Sequence, residues 1–240
     1  MEWKGLMLGL VAAGANICGG LAVVRRPWHP LYLRSFIALG SGFMLAAALL
    51  EMLPESFELL GRDAAGWMLA GYLLIHFFEH TVSAHFHFGE ETHAEEVRTA
   101  RRSHTVLLGL VIHSCVDGIS IASGFLISDF LGWIVFLAVF LHKMPEGFAV
   151  SSVMLASGKS PRTALISSGM LGLATVAGVA AMAPLRGHVA YTLPLSAGVT
   201  LYVAASDLIP LVNQEPGVRM ALVVFVGVLL LLLLKWLFPI

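Results

Sequence analysis

The chain has 240 residues, of which 58% are hydrophobic and only 12% charged, with a mean hydropathy of +0.86. Soluble domains carry about 25% charged residues, so apolar surface in this proportion argues against an ordinary soluble domain and for a bilayer as solvent. The formal net charge of −1 argues against nucleic acid as a partner, and Cys18 and Cys115, each inside an apolar run, read as small buried residues with no disulfide framework.

A hydrocarbon core takes roughly 20 residues of helix. Runs of that length, punctuated by charge and turn residues, predict eight spans: 4–24, 32–60, 64–88, 103–127, 130–157, 162–182, 187–213 and 217–239. The first run has only Lys4 ahead of it and lacks a cleavage site, so it reads as a retained helix and not as a signal peptide. Its lone Asn16 reads as a helix-packing hydrogen bond. Span two carries Gly42 and then Glu51-Met52-Leu53-Pro54, with Glu51 and Glu55 flanking the proline on one face towards the outer end, where they are candidates for an outer mouth. The inner part of span three carries His76, Glu79 and His80, which read equally as a cytoplasmic exit site and as a polar cap at the interface. The connection at 89–102, with Glu90, Glu91, His93, Glu95 and Glu96, reads as a solvated loop or as a flexible metal-collecting segment, since imidazole and carboxylate both suit divalent metals.

Orientation follows from the basic residues. The odd-numbered connections hold Arg25, Arg26, Arg34, Arg98, Arg101, Arg102, Lys159, Arg162 and Arg219, whereas the termini and even-numbered connections hold Lys4, Arg62, Arg186 and Lys235. The positive-inside rule then puts the odd connections in the cytoplasm and both termini outside.

Two internal similarities emerge. Gly198 and Asp207-Leu208-Ile209-Pro210 in span seven repeat the spacing of Gly42 and Glu51-Met52-Leu53-Pro54 in span two. The two spans run in opposite directions, the pattern of an inverted-topology transporter repeat, and Asp207 joins the candidate pathway residues. More specific are His113-Ser114-Cys115-Val116-Asp117-Gly118 in span four and His142-Lys143-Met144-Pro145-Glu146-Gly147 in span five, both His-x-x-x-acid-Gly.

Residues four apart share a helix face, so His113 with Asp117 and His142 with Glu146 form two clips. Facing clips place two imidazoles and two carboxylates around one point, a set that suits zinc and also iron, manganese or cadmium. Pro145 leaves the Leu141 carbonyl without its intrahelical donor, which predicts a kink beside the clip. The competing reading is that these are packing residues hydrogen-bonded to one another. An ionised side chain at mid-bilayer costs roughly 2.5–3.5 kcal/mol on insertion scales. Glu51, Asp117, Lys143, Glu146 and Asp207 together would therefore cost on the order of 12–17 kcal/mol if they faced lipid, so they must face an interior or a wet cavity. Lys143 reads as a counter-ion for Glu146 or Asp117, or as a lysine stripped of its proton by burial. A divalent ion about 4 Å from its ammonium would be repelled by roughly 8 kcal/mol at an effective dielectric of 20, which predicts a single metal.

At these two segments the chain resembles the ZIP (zinc/iron-regulated transporter-like) family in its short bacterial form. Supporting stretches are Gly42-Phe43-Met44-Leu45-Ala46 with Leu53-Pro54-Glu55, and Leu201-Tyr202-Val203-Ala204 with Asp207-Leu208-Ile209-Pro210. The resemblance implies an all-α fold of eight transmembrane helices in a 3+2+3 inverted-repeat bundle, forming a single domain over 1–240. It implies uptake of divalent metal into the cytoplasm by alternating access, with His113, Asp117, His142 and Glu146 matching the family's primary site. Ser114 and Lys143 fall where many members carry ligands of a second, adjacent site, and span six has no carboxylate where some members use one; both departures agree with one metal. The expected setting is a plasma membrane, that of a bacterial inner membrane, with lipid and divalent metal as partners, a homodimer allowed, and no organic cofactor. The rival reading is a membrane-embedded zinc hydrolase, which would need a fixed three-ligand site with a general base, as in His-Glu-x-x-His. That motif is absent, and Lys143 stands where its Glu would be.

Overall fold

A computed structural model describes residues 3–25, 30–81, 100–214 and 218–237. The described residues form α1 (Trp3–Arg25), α2 (Pro30–Ala47), α3 (Leu53–Leu60), α4 (Asp63–Thr81), α5 (Ala100–Ile127), α6 (Asp129–Ala156), α7 (Pro161–Ala181), α8 (Val189–Tyr202), α9 (Ile209–Asn213) and α10 (Arg219–Leu237). Among them there is no strand. Seven helical stretches are long and apolar enough to cross a bilayer: Trp3–Arg25, Leu31–Leu60, Val106–Ile127, Asp129–Ala156, Pro161–Ala181, Arg186–Asn213 and Arg219–Leu237. The remaining predicted span, the third, contains α4, whose 19 residues are enough in length, and its predicted end at 88 lies outside the described residues. Asp63, His76, Glu79 and His80 lower its hydropathy below the others. The predicted loop at 89–102 lies outside the described residues except for Ala100, Arg101 and Arg102, which open α5.

The helix boundaries have local causes. Ser128 and Ser160 cap α6 and α7, their hydroxyls each accepting a backbone N–H at 3.1 Å, from Leu131 and Thr163. Gly61, at φ 57°, makes the turn between α3 and α4. The repeated acid-x-x-Pro segments share a feature that the spacing did not foretell. Each is preceded by a π-helical turn, Ala48–Met52 in one case and Val203–Leu208 in the other. The Leu53 N–H donates to the Ala48 carbonyl, and the Ile209 N–H to the Ala204 carbonyl, both reaching five residues back. A proline follows at once in both, and its missing N–H and bulky ring disfavour the ordinary i−4 register. By contrast α6 remains one helix through Pro145. Cys18 is exposed on α1 and Cys115 half-buried, against the expectation that both are buried.

Packing divides into two groups. α1, α5, α6 and α7 pack on one another, while α2 packs along α10 and α4 along α8. Glycines set the closest crossings. A methyl on Gly42 would overlap the Val224 carbonyl of α10, and one on Gly198 would overlap the Met68 carbonyl of α4. Reciprocally, Gly227 lies against the Leu39 carbonyl and Gly71 against the Leu195 carbonyl. A single sequence offset relates 42 to 198, 39 to 195, 68 to 224 and 71 to 227. The other group repeats the arrangement: Gly118 lies on Thr175 and Gly147 on Asn16, while Gly178 lies on Cys115 and Gly19 on Met144. Close backbone approach through small residues is how membrane helices associate when no water drives them together.

Gly198→Val and Gly118→Val should each lower the melting temperature of the detergent-solubilised protein by roughly 3–10 °C, because backbone cannot give way to the added atoms. Gly66→Ala and Gly169→Ala, where an added methyl meets nothing within 4 Å, should leave it unchanged. Equal melting of all four variants would remove the assignment of these crossings.

Candidate metal centre

The two His-x-x-x-acid-Gly segments lie midway along α5 and α6, and the helices cross so that both clips meet. His113, Asp117, His142 and Glu146 each offer one ligand atom, and these atoms lie within 4.8 Å of one another. All four residues are buried, as are Ser114 and Lys143. Asp117 Oδ2 lies 3.2 Å from both His113 Nε2 and His142 Nε2. The two imidazole rings are 5.6 Å apart between centroids, tilted by 44°.

The donor chemistry fits a metal. Tetrahedral zinc with bonds of about 2.1 Å holds its ligands about 3.4 Å apart. Two of the separations here are 3.2 Å, and the widest need close by little more than an ångström. His142 Nδ1 lies 2.9 Å from the Ala138 carbonyl, which can only accept a hydrogen bond. Nδ1 therefore carries the proton, and in the neutral ring Nε2 turns a lone pair towards Asp117 Oδ2. Two facing lone pairs need a cation or a proton between them. Fixing the far nitrogen of a ligating histidine in this way is how proteins set its tautomer and orientation. His113 lacks the counterpart, since its Nδ1 is buried without a hydrogen-bond partner.

Lys143 is fully buried and sits on the carboxylates. Its Nζ is 2.6 Å from Asp117 Oδ2 and 2.5 Å from Glu146 Oε2, and it donates to Ser114 Oγ at 2.9 Å. The Ser114 hydroxyl in turn donates to Glu146 Oε1 at 2.6 Å. The sequence offered Glu146 or Asp117 as the counter-ion; Lys143 pairs with both.

The remaining candidate residues do not join this group. Glu51 is nearly buried, with Lys235 Nζ of α10 at 2.9 Å from its Oε1, an ion-pair distance without hydrogen-bond alignment. Glu55 is half-buried on α3. Asp207 is buried in the second π turn, next to Ser206, whose hydroxyl is 2.8 Å from that of Tyr72. His76 is exposed, with its ring 5.9 Å from that of Tyr202. Glu79 and His80 belong to α4, but their side chains lie outside the described residues, as do His93 and the glutamates of the loop. Sequence reasoning missed the part played by the Ala138 carbonyl, for which no side chain gives a signal. It also took Asn16 as a hydrogen-bonded packing residue, whereas both amide atoms are buried without a partner.

The family model described as ZIP Zinc transporter matches residues 89–235, more than half of the chain. Zinc transporter ZIP9 of Micropogonias undulatus is 28% identical over 157 residues, covering 60% of this chain and 49% of that protein. Zinc transporter ZIP5 of Mus musculus is 32% identical over 132 residues, covering 53% of this chain and 25% of its own length. Zinc transporter ZIP4 of Homo sapiens is 30% identical over 110 residues, covering 45% of this chain and 17% of that protein. The chain thus spans about half the length of these curated relatives or less. All three are named for transport, and the hydrolase reading gains no support from them.

In detergent, His113→Ala and Glu146→Ala should each weaken cadmium binding by more than the 10- to 100-fold that loss of an outer partner costs. Cys115→Ser should leave the affinity unchanged, because the thiol is outside the ligand group. Titration calorimetry measures both, and an unchanged affinity in the His113 and Glu146 variants would dissolve the site.

Proposed function

The chain belongs to the ZIP zinc transporter family, and on that premise we propose that it carries divalent metal, zinc first, across a membrane into the cytoplasm. The observation that carries this reading is a four-ligand His/carboxylate group buried midway along two membrane helices, where ionised residues are otherwise excluded. Family membership and the names of the matched relatives support transport over retention of the metal. Mixed nitrogen and oxygen ligation without thiolate suits a cargo that has to leave again.

His113, Asp117, His142 and Glu146 hold one ion in transit, with Ser114 and Lys143 as modulators of that site. Glu51 and Glu55 serve the outer mouth; His76, Glu79 and His80 serve the cytoplasmic side, and Asp207 lies on the pathway. The arrangement is 3+2+3, with the first three and last three helices related by inversion around α5 and α6. The reciprocal glycine crossings and the paired π turns support it. The distribution of Lys and Arg supports outward termini in a plasma membrane, with a bacterial inner membrane as the proposed setting. Burial of its four ligating residues supports movement by alternating access.

Purified protein reconstituted into liposomes should accumulate radioactive zinc and cadmium down a gradient. His142→Ala and Glu146→Ala should fall to the level of empty liposomes. Uptake equal to that of the unaltered protein in both variants would remove the site from the pathway. No uptake by any of them, with one zinc per chain resisting chelation, would reject transport.

A further inference from the structure

We propose that Lys143 is a tethered replacement cation, which takes the place of the metal on Asp117 and Glu146 whenever the site is empty and so allows the empty carrier to return. The inference rests on the transport reading above and adds to it the step that transport leaves open. A carrier that delivers an ion has to bring its vacant site back through the membrane interior, and here that site contains two carboxylates.

The geometry is that of a cation site filled from within. Nζ of Lys143 is held by oxygens from three side chains, Asp117 at 2.6 Å, Glu146 at 2.5 Å and Ser114 at 2.9 Å. Two of these belong to residues of the metal-ligand group itself, so ammonium and metal compete for the same carboxylates. Residue 143 is fully buried and reaches a carboxylate on its own helix, three residues on, together with one on the neighbouring helix. It cannot satisfy its charge at the membrane surface by extending along α6. When metal arrives and takes the carboxylate oxygens, the Ser114 hydroxyl is the anchor that the ammonium keeps.

Charge counting gives the consequence. With Lys143 present, the site carries one net negative charge when empty and one net positive charge when loaded with a divalent ion. Without it, the loaded site is neutral and the empty site carries two negative charges. The cost of placing charge in a low-dielectric interior grows as the square of the charge. The lysine therefore makes the two crossings comparable, where its removal would ease the loaded crossing and obstruct the empty one. Nothing in this requires the lysine to lose its proton.

The two crossings can be measured separately. Net uptake into metal-free vesicles needs the empty carrier to return, whereas exchange of external radioactive cadmium for internal unlabelled cadmium uses the loaded carrier in both directions. Reconstituted full-length protein should perform both. In Lys143→Gln the ratio of net uptake to exchange should fall by about tenfold or more, and Lys143→Arg should restore it. Should Lys143→Gln fail to fold, as judged by size-exclusion profile, Lys143→Met provides the same ratio with a side chain of similar length. Net uptake and exchange falling in parallel, or a ratio unchanged in the variant, would overturn the proposal while leaving transport intact. Absence of both modes in the unaltered protein would reject transport itself, and the return step with it.

Discussion

Two carboxylates buried together are the constraint from which the rest of this molecule follows. Asp117 and Glu146 are 2% and 1% exposed, in helices otherwise built from apolar residues. Left alone, each would cost several kcal/mol in such surroundings. Their neighbours are chosen accordingly: two imidazoles, an ammonium and a hydroxyl, all directed at the same few oxygens. A set of this kind suits a cation shared among the four ligands. A permanent structural network would be satisfied by the lysine alone and would have no use for two histidine nitrogens aimed at one carboxylate oxygen.

Holding six polar side chains at one level requires the helices around them to be close and rigid. Close approach comes from glycine. Gly118 and Gly147 follow the two acids directly and press onto the backbones of α7 and α1, so the residues that end each clip also bring up its supporting helix. Gly40 of α2 faces the Leu141 carbonyl, the one freed by Pro145, with room for no more than a methyl at 3.4 Å. The proline thus leaves a carbonyl beside the site without breaking α6, and α2 covers it. The helical assignment runs unbroken past Pro145, as neighbouring helices can accommodate the freed group.

Much of this was legible in the sequence, for a physical reason. Apolar runs of bilayer length are dictated by the solvent, so the span ends that fall on described residues could be read to within a few residues. Ionisable residues in such runs are too costly to be incidental, and that singled out His113, Asp117, His142 and Glu146. The spacing 42 to 51 and 198 to 207 revealed a repeat, because helical register converts equal spacing into equal placement. The π turns were not legible: proline predicts a disturbance, but whether it appears as a kink, a π turn or an unbroken helix depends on what packs against it. Nor could the sequence choose between Asp117 and Glu146 as the partner of Lys143, since that choice is made by the distance between two helices. Ala138 and Asn16 show the same limit, one acting through its backbone and the other lacking the partner its chemistry would suggest.

The repeat is most informative where it fails. Positions 113 and 142 are both histidine, and 118 and 147 both glycine, so the two clips agree in what fixes imidazole and helix. They differ at 114 and 143, serine against lysine, and at 117 and 146, aspartate against glutamate. The shorter acid lies on the helix opposite the long basic side chain, and the longer one three residues ahead of it on the same helix. One ammonium reaches both acids and the Ser114 hydroxyl. A fully symmetric pair of clips, with lysine at both positions, would bring two positive charges against the two carboxylates and two imidazoles. With serine at both it would leave the two carboxylates without an ammonium partner. The departure at 114 and 143 avoids both, and one ammonium stands between two buried carboxylates.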